Sequence, residues 1–415
     1  MSFDYDVTVV GAGPIGSSLA YELALNGLRV CLIDKKKLIG LPLQCAGIVN
    51  KRISLLCDMP DDLILNKAKG AFLHTKNQSL TVSKKETQAY VIDRVALDQY
   101  LFNRASESVD TFLSSKVVDI DKKRGTVEFK IDSKIRKIKS KLIVGADGPL
   151  SISSSKINNE FNYYNASQYL VKVNEIDEKD FVDLYAWADL FPGFIWAIPV
   201  YDNIFRIGMF SNDDYKMQSQ ILDKFLVSDF KYDDFEVLEK YKGKIPIYDK
   251  DNQLFEDRLI LVGDSACQIK PTTGGGLLVG LESVQFARNA ILDALENLDF
   301  DVIDSSEDMD NNEFKKFSDD LFNILINYQN DFEDTFLKEF EYQFKVQKTL
   351  STLSDEDLDY LFIKLKEKGA DKLISEYGDM DNQSKLVKEF IKRGLIFSLL
   401  PKIHKSELAK IWLLD

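Results

Sequence analysis

Gly11, Gly13 and Gly16, followed by Asp34, have the types and spacing to hold a diphosphate joined to a ribose. A glycine at 11 lets the chain turn, one at 13 lets the backbone approach a pyrophosphate, and one at 16 lets the next helix pack closely on the preceding strand. The carboxylate of Asp34 can accept hydrogen bonds from a ribose hydroxyl. Far along the chain a second group stands ready, Gly263-Asp264 followed by Pro271-Thr-Thr-Gly-Gly-Gly276. Glycines at a helix start cost close to ~1 kcal/mol each against alanine, so Gly274, Gly275 and Gly276 are there to let something approach the backbone. Between the groups lie Cys45, in a loop that either merely connects or faces a cofactor ring, and Arg94. The Arg94 cation could reach phosphates or a ring edge, or simply pair with a neighbouring carboxylate.

The elements that must position these residues are readable around them. Val7 to Val10 is a β-branched run suited to a strand buried on both faces, and it stops at Gly11. Ser17 to Asn26 reads as a helix opening at the turn, with its positive end toward the phosphates and Gly27 as its stop. Leu28 to Ile33 reads as a second strand ending at Asp34. Strand, turn, helix, strand and acid in that order favour a dinucleotide site over a chance glycine turn, but the motif alone does not choose between FAD and NAD. A second helix N-terminus at Gly274 to Gly276 suits a flavin, whose reduced ring carries negative charge near its N1–C2=O edge.

Elsewhere, Phe72 to Val82 reads as strand, turn, strand, and Tyr90 begins a strand that runs into a helix capped by Asp93. Val117 to Ile138 reads as a hairpin turning at Arg124-Gly125, and Leu142 to Gly145 as a further buried strand. From Ser151 to about Asp251 the strands are aromatic, which predicts an all-antiparallel sheet whose Pro192-Gly-Phe-Ile-Trp-Ala-Ile-Pro199 segment walls an apolar pocket. Asp299 to Asp320 is an acidic linker, and Phe314, Phe317, Leu321, Leu325, Tyr328, Phe332, Phe336, Phe340 and Phe344 then form a helical stripe packed on the rest. Ser354 and Asp357 read as a capping box, and Ile391 to Leu414 as core or a weak membrane-facing surface. The expected fold class is α/β (α+β overall): a Rossmann-like dinucleotide-binding domain (1–70, 88–150 and 255–298), an antiparallel β substrate domain (71–87 and 151–254) and a helical C-terminal region (299–415).

The 415 residues carry 53 Lys and Arg against 67 Asp and Glu, a net charge of −14, which argues against nucleic acid as a partner. Cys31, Cys45, Cys57 and Cys267 contain no C-x-x-C pair, and with only His74 and His404 beside them no metal site is expected. A strand within a few residues of the N-terminus leaves no room for a signal peptide, and no apolar run approaches the ~18 residues of a membrane span. A cytoplasmic protein is expected, with peripheral contact at a membrane left open.

Together these motifs, with Asp93-Arg94, Gly145-Ala-Asp-Gly148, Gln44-Cys45 and Lys270-Pro-Thr-Thr-Gly-Gly-Gly-Leu277, resemble the geranylgeranyl reductase family within the hydroxylase-like, glutathione-reductase-type flavoproteins. The resemblance runs nearly the whole chain, including Thr352-Leu-Ser-Asp-Glu-Asp-Leu358. It implies that FAD is the cofactor. Gly11, Gly13, Gly16 and Asp34 would serve its ADP part, Arg94 and Asp264 its phosphates and ribityl chain, Gly274 to Gly276 its ring edge with Cys45 facing the flavin, and Pro14, Ile15, Lys35, Ala46, Gly47, Val118, Asp147 and Gly148 would also contact the cofactor. Tyr185, Phe194, Trp196, Pro199 and Lys270 would meet substrate. The family's Tyr-x-Trp-x-Phe-Pro motif stands here as Phe194, Trp196, Ile198 and Pro199, with Phe for Tyr and Ile for Phe.

The implied reaction saturates isolated C=C bonds in geranylgeranyl chains of archaeal-type ether lipids, by hydride from reduced flavin N5 to one carbon and a proton to the other. Cys45 is the candidate for tuning this step or donating the proton, although a thiol near pKa ~8.5 is a weak acid and a water could serve. The electron donor would be NAD(P)H or a ferredoxin-like iron–sulfur protein. Two rivals stand beside this reading: a flavin monooxygenase or halogenase of the same fold, and a flavin-bearing prenyl-lipid carrier without catalysis.

Overall fold

The β-branched run near the N-terminus becomes Tyr5–Val10, the centre of a parallel sheet between Val30–Ile33 and Lys134–Gly145. This computed structural model describes residues 3–157, 159, 161–301, 311–395 and 410–412. Asp110–Phe112 and Leu259–Leu261 extend the sheet in parallel on its two sides, and Phe255–Glu256 closes one edge antiparallel. Strands buried on both faces need covering helices. Pro14–Leu25 packs between Arg94–Ser106 and Leu277–Asn297, which in turn contacts the long helix Asn311–Leu350. The first helix begins three residues before the expected Ser17, because Pro14 lacks the N–H that a first-turn residue leaves unpaired anyway.

The expected hairpin turning at Arg124-Gly125 is present as Lys116–Asp121 and Thr126–Ile131. A second turn at Asp132-Ser133, both with positive φ, then leads into Lys134–Gly145. That strand is continuous, so the separate strand expected from Leu142 is corrected: its polar first half completes the surface hairpin and its apolar second half enters the parallel sheet.

A second sheet of seven strands runs in the order Phe235–Pro246, Tyr163–Val173, Ile204–Ser211, Ile195–Pro199, Phe181–Tyr185, Gly70–His74, Ser79–Ser83. It is not all-antiparallel, since Phe181–Tyr185 pairs in parallel with Gly70–His74. The Gly70–Ser83 hairpin arrives from much earlier in the chain and joins by a long crossover, which permits a parallel neighbour. One face of this sheet packs Tyr185, Ile195, Ile207 and Met209 with Leu222 and Phe225 of the helix Tyr215–Ser228. The other face presents Trp196, Ile198 and Phe210.

The aromatic stripe packs as expected, with Leu321, Leu325, Tyr328, Phe332 and Phe340 buried in the core of the first sheet. The Ser354–Asp357 capping box is formed. Of the acidic linker, 302–310 lies outside the described residues and the helix already runs from Asn311. Most of Ile391 to Leu414 also lies outside them, apart from a few residues such as Trp412, whose Nε1 donates to Thr349 Oγ1 at 3.0 Å. Among the described residues no helix is long and apolar enough to cross a membrane.

The fully buried Tyr328 hydroxyl donates to the Leu261 carbonyl at 2.7 Å and accepts from Gln268 Nε2 at 2.8 Å, tying the long helix to the end of a parallel strand. Tyr328→Phe is expected to lower the unfolding free energy by about 1–3 kcal/mol, read as a lower denaturant midpoint at unchanged m-value.

Candidate cofactor and substrate site

The carboxyl ends of parallel strands are where open α/β sheets bind ligands. Here a cavity of about 860 Å³ takes in the glycine turn, the Cys45 loop, the apolar face of the second sheet and part of the C-terminal helical region.

The glycines divide by purpose. A Cβ on Gly11, whose φ is +104°, or on Gly16 would collide with backbone, of Ala146 and of Gly11 respectively. Both serve close packing within the protein. Gly13 has an ordinary φ of −67°, yet a Cβ there would meet nothing within 4 Å, and the same open space lies beside Gly148. Room left beside a helix N-terminus is what a pyrophosphate needs. Asp34 Oδ2 accepts from Ala12 N and Oδ1 from Lys36 N, each at 2.7 Å, so the carboxylate braces the turn while keeping lone pairs for a ribose.

Arg94 and Asp98 form a buried ion pair with contacts of 3.1–3.3 Å. The plain expectation for Arg94, a pair with a neighbouring carboxylate, is met, and the residue also lines the cavity and reaches the Cys45 thiol. Burial works against its charge, but Asp98 and Cys45 hold the guanidinium above its ordinary value. Asp264 also faces the cavity, and burial pushes its carboxyl up to about 6 against the pull of Arg94. A Cβ on Gly276 would come within 2.8 Å of Asp264 Oδ1, so the glycine lets the carboxylate lie against the helix start.

Cys45, Ala46 and Gly47 line the cavity, as do Pro14, Ile15, Gly274, Gly275, Phe194 and Trp196. Trp196 Nε1 donates to Gln168 Oε1 and Gln168 Nε2 donates to the Cys45 carbonyl, both at 3.2 Å, joining the aromatic wall to the cysteine loop. Lys270 lines the cavity too, but its ammonium is engaged by Asp381 at 2.6 Å and by the Met380 carbonyl at 3.2 Å. It fastens the C-terminal segment over the cavity.

Two substrate expectations, at Tyr185 and Pro199, are corrected, and three residues expected at the cofactor, Asp147, Lys35 and Val118, stand outside the cavity lining. Tyr185 points to the opposite face of its strand, stacked on His74 with ring centroids 4.5 Å apart, and Leu184 takes the cavity position. Pro199 likewise faces away while Ile198 lines the cavity, because side chains alternate along a strand. The Asp147 carboxylate accepts from Ser151 Oγ, Ile152 N and Ser153 N at 2.5, 2.8 and 3.2 Å, holding its own loop. Lys35 is exposed outside the cavity lining and Lys36 lies within it. Val118, 40% exposed in the surface hairpin, is also outside the lining. Sequence reasoning missed Gln168 and Arg206; Arg206, a charged residue in the apolar run 204–210, carried a signal, whereas Gln168 stands beside Asn165 and Ser167 in its strand and carried none.

Parallel sheet, glycine turn and a second helix start on one cavity define a dinucleotide-binding flavoprotein. The chain matches the FAD binding domain family model over residues 4–291 and belongs to that family. FAD is its cofactor, and the residues around Gly13 and Gly148 leave it the space described. An uncharacterized protein of Methanocaldococcus jannaschii is 29% identical over 96% of this chain and 98% of its own. The digeranylgeranylglycerophospholipid reductase of the same organism is 27% identical over 86% of this chain and 89% of its own, in keeping with the resemblance carried by the motifs. A geranylgeranyl bacteriochlorophyll reductase-like protein from Thermoplasma acidophilum shares the fold, with a TM-score of 0.78 at 22% identity over 97% of this chain and 99% of that one. The flavin-dependent halogenase CmlS is a more distant likeness, at TM-score 0.60 and 17% identity over 82% of this chain and 64% of that one.

Two outcomes follow from this geometry. Gly13→Val should cost the cofactor-free protein no more than about 1 kcal/mol, the loss at a helix N-cap, but weaken FAD binding at least about tenfold, measured by flavin fluorescence titration, because its Cβ enters space left open for the ligand. Asp264, raised from an ordinary 3.8 to about 6, binds its proton more tightly folded than unfolded. Stability of the cofactor-free protein is therefore lost as pH rises through roughly 4 to 6, by an amount on the order of 3 kcal/mol. Asp264→Asn should remove that loss, seen as a growing advantage of the variant in denaturant titrations between pH 4 and 7.

Proposed function

We propose that this chain is an FAD-dependent reductase that saturates isolated double bonds of geranylgeranyl chains on an ether lipid of the archaeal type. The observation that carries the reading is the shared cavity: the glycines suited to FAD, the Cys45 loop and an apolar aromatic wall all line it. Bound FAD supplies the hydride.

The protein's own residues supply alignment and dryness. Leu184, Phe194, Trp196, Ile198 and Phe210 offer a prenyl chain a surface without competing polar groups. An isolated alkene accepts hydride poorly, so exclusion of water and fixed orientation matter. Gln168 holds the tryptophan and the cysteine loop in one arrangement. Cys45 is the group we assign to deliver, or relay, the proton to the second carbon, with the net addition of two hydrogens per bond. Electrons would come from NAD(P)H or a small iron–sulfur protein, and a peripheral seat on the bilayer would bring the lipid to the cavity.

The test is anaerobic. The yellow protein is reduced with dithionite, a geranylgeranyl lipid is added, and flavin reoxidation is followed together with product mass. Reoxidation with a gain of two hydrogens per double bond is expected, and Cys45→Ala should slow it by roughly 10²- to 10⁴-fold. A flavin that stays reduced until air is admitted, with unchanged lipid, would overturn the reading and favour the oxygen-using relatives.

A further inference from the structure

Arg206 is only 5% exposed and lies in the strand Ile204–Ser211, alternating with residues of the opposite core. Its Nη1 donates to the Ala46 and Ile92 carbonyls, each at 3.0 Å, while its Nε is buried without a hydrogen-bond partner. A Cβ on Gly47 would strike this same Nη1, so the guanidinium is pressed directly against the loop Cys45–Gly47 that lines the cavity.

A buried cation is expensive unless an anion compensates it. The other buried guanidinium at this loop, Arg94, has Asp98 as its ion-pair partner. Arg206 has none within ion-pair distance among the described residues. Asp93 acts on it from further away, and that carboxylate caps a helix by accepting from Ala96 N. Asp264 faces the cavity with its carboxyl pushed up to about 6 by burial, and it makes no ion pair with Arg206. Arg94 is neutralised in direct contact by Asp98, whereas the Arg206 guanidinium, held by backbone carbonyls alone, stands without a contacting anion just behind the cavity wall.

We propose that Arg206 is the counter-cation for the negative charge that bound FAD gains when it is reduced. The inference rests on the flavin ring lying beside Cys45–Gly47 and Gly274–Gly276. Two electrons and one proton taken from the reductant leave the cofactor with one more negative charge than its oxidised form, and the reductant is oxidised by two electrons. A fixed cation in a water-poor layer stabilises the charged form more than the uncharged ring, so it raises the reduction potential. Arg206 acts across the Ala46–Gly47 backbone and is a positioning residue for charge, not a catalytic one.

FAD-loaded wild type, Arg206→Gln and Arg206→Lys are titrated anaerobically with dithionite against a reference dye. Arg206→Gln keeps a donor for the carbonyls but loses the charge. It should favour the reduced form at least about tenfold less, a fall of ~30 mV for a two-electron couple, with affinity for oxidised FAD unchanged. Arg206→Lys keeps the charge and should keep the potential. Wild-type potential in Arg206→Gln, with only a lower melting temperature, would overturn the proposal and leave Arg206 a structural tie. If Arg206→Gln does not fold, the spectrum of the reduced wild type at mildly acidic pH decides: the anionic form supports the proposal and the neutral form defeats it. A wild type that bound no FAD would instead defeat the cofactor reading, and one whose ring is quenched by neither Cys45 nor its loop variants would displace the seat assumed for the flavin.

Discussion

A close approach of backbone to backbone at the glycine turn governs the rest. At the end of the first strand, Gly11 meets Ala146 and Gly16 meets Gly11 with no room for a Cβ at either glycine. That contact seats the helix Pro14–Leu25 on the sheet with its N-terminus open beside Gly13. A bulkier residue at 11 or 16 would lift the helix, and the phosphate cradle would lose both its free amides and its depth. Asp34 reinforces the same turn from the next strand by accepting from Ala12 N.

Around this turn the protein handles charge under low dielectric. Arg94 is paired with Asp98 and Lys270 with Asp381, whereas Asp264 and Arg206 are buried without an ion-pair partner among the described residues. Paired groups chiefly hold the walls together: Lys270 fastens the C-terminal segment, and Gln383 Nε2 donates to Thr272 Oγ1 at 2.7 Å beside it. Unpaired groups at or just behind a cavity wall keep their electrostatic influence for whatever enters it. Such a division suits a flavin site, because the ring's charge changes during turnover while the frame must not.

The C-terminal helices contribute to the site as well as to stability. Their aromatic stripe is spent on the first core, and the later turn around Met380 and Asp381 closes over the cavity. The family match over residues 4–291 stops short of these helices. The cavity wall is therefore partly built from a segment beyond the matched family region.

Local pattern alone determined much of this protein. The glycine spacing and Asp34, the Asp93 and Ser354 caps, and the helical stripe are short-range features whose physics is complete within a few residues. Tertiary structure decided what depended on distant partners. Whether Tyr185 or Leu184 faces the cavity is a one-residue parity that only the packing of Tyr215–Ser228 on one face settles. That Phe181–Tyr185 takes a parallel neighbour follows from a hairpin a hundred residues earlier in the chain. That Lys270 is bound by Asp381 and that Arg206 is pressed behind Gly47 depend on contacts between segments far apart in sequence, which no local periodicity encodes.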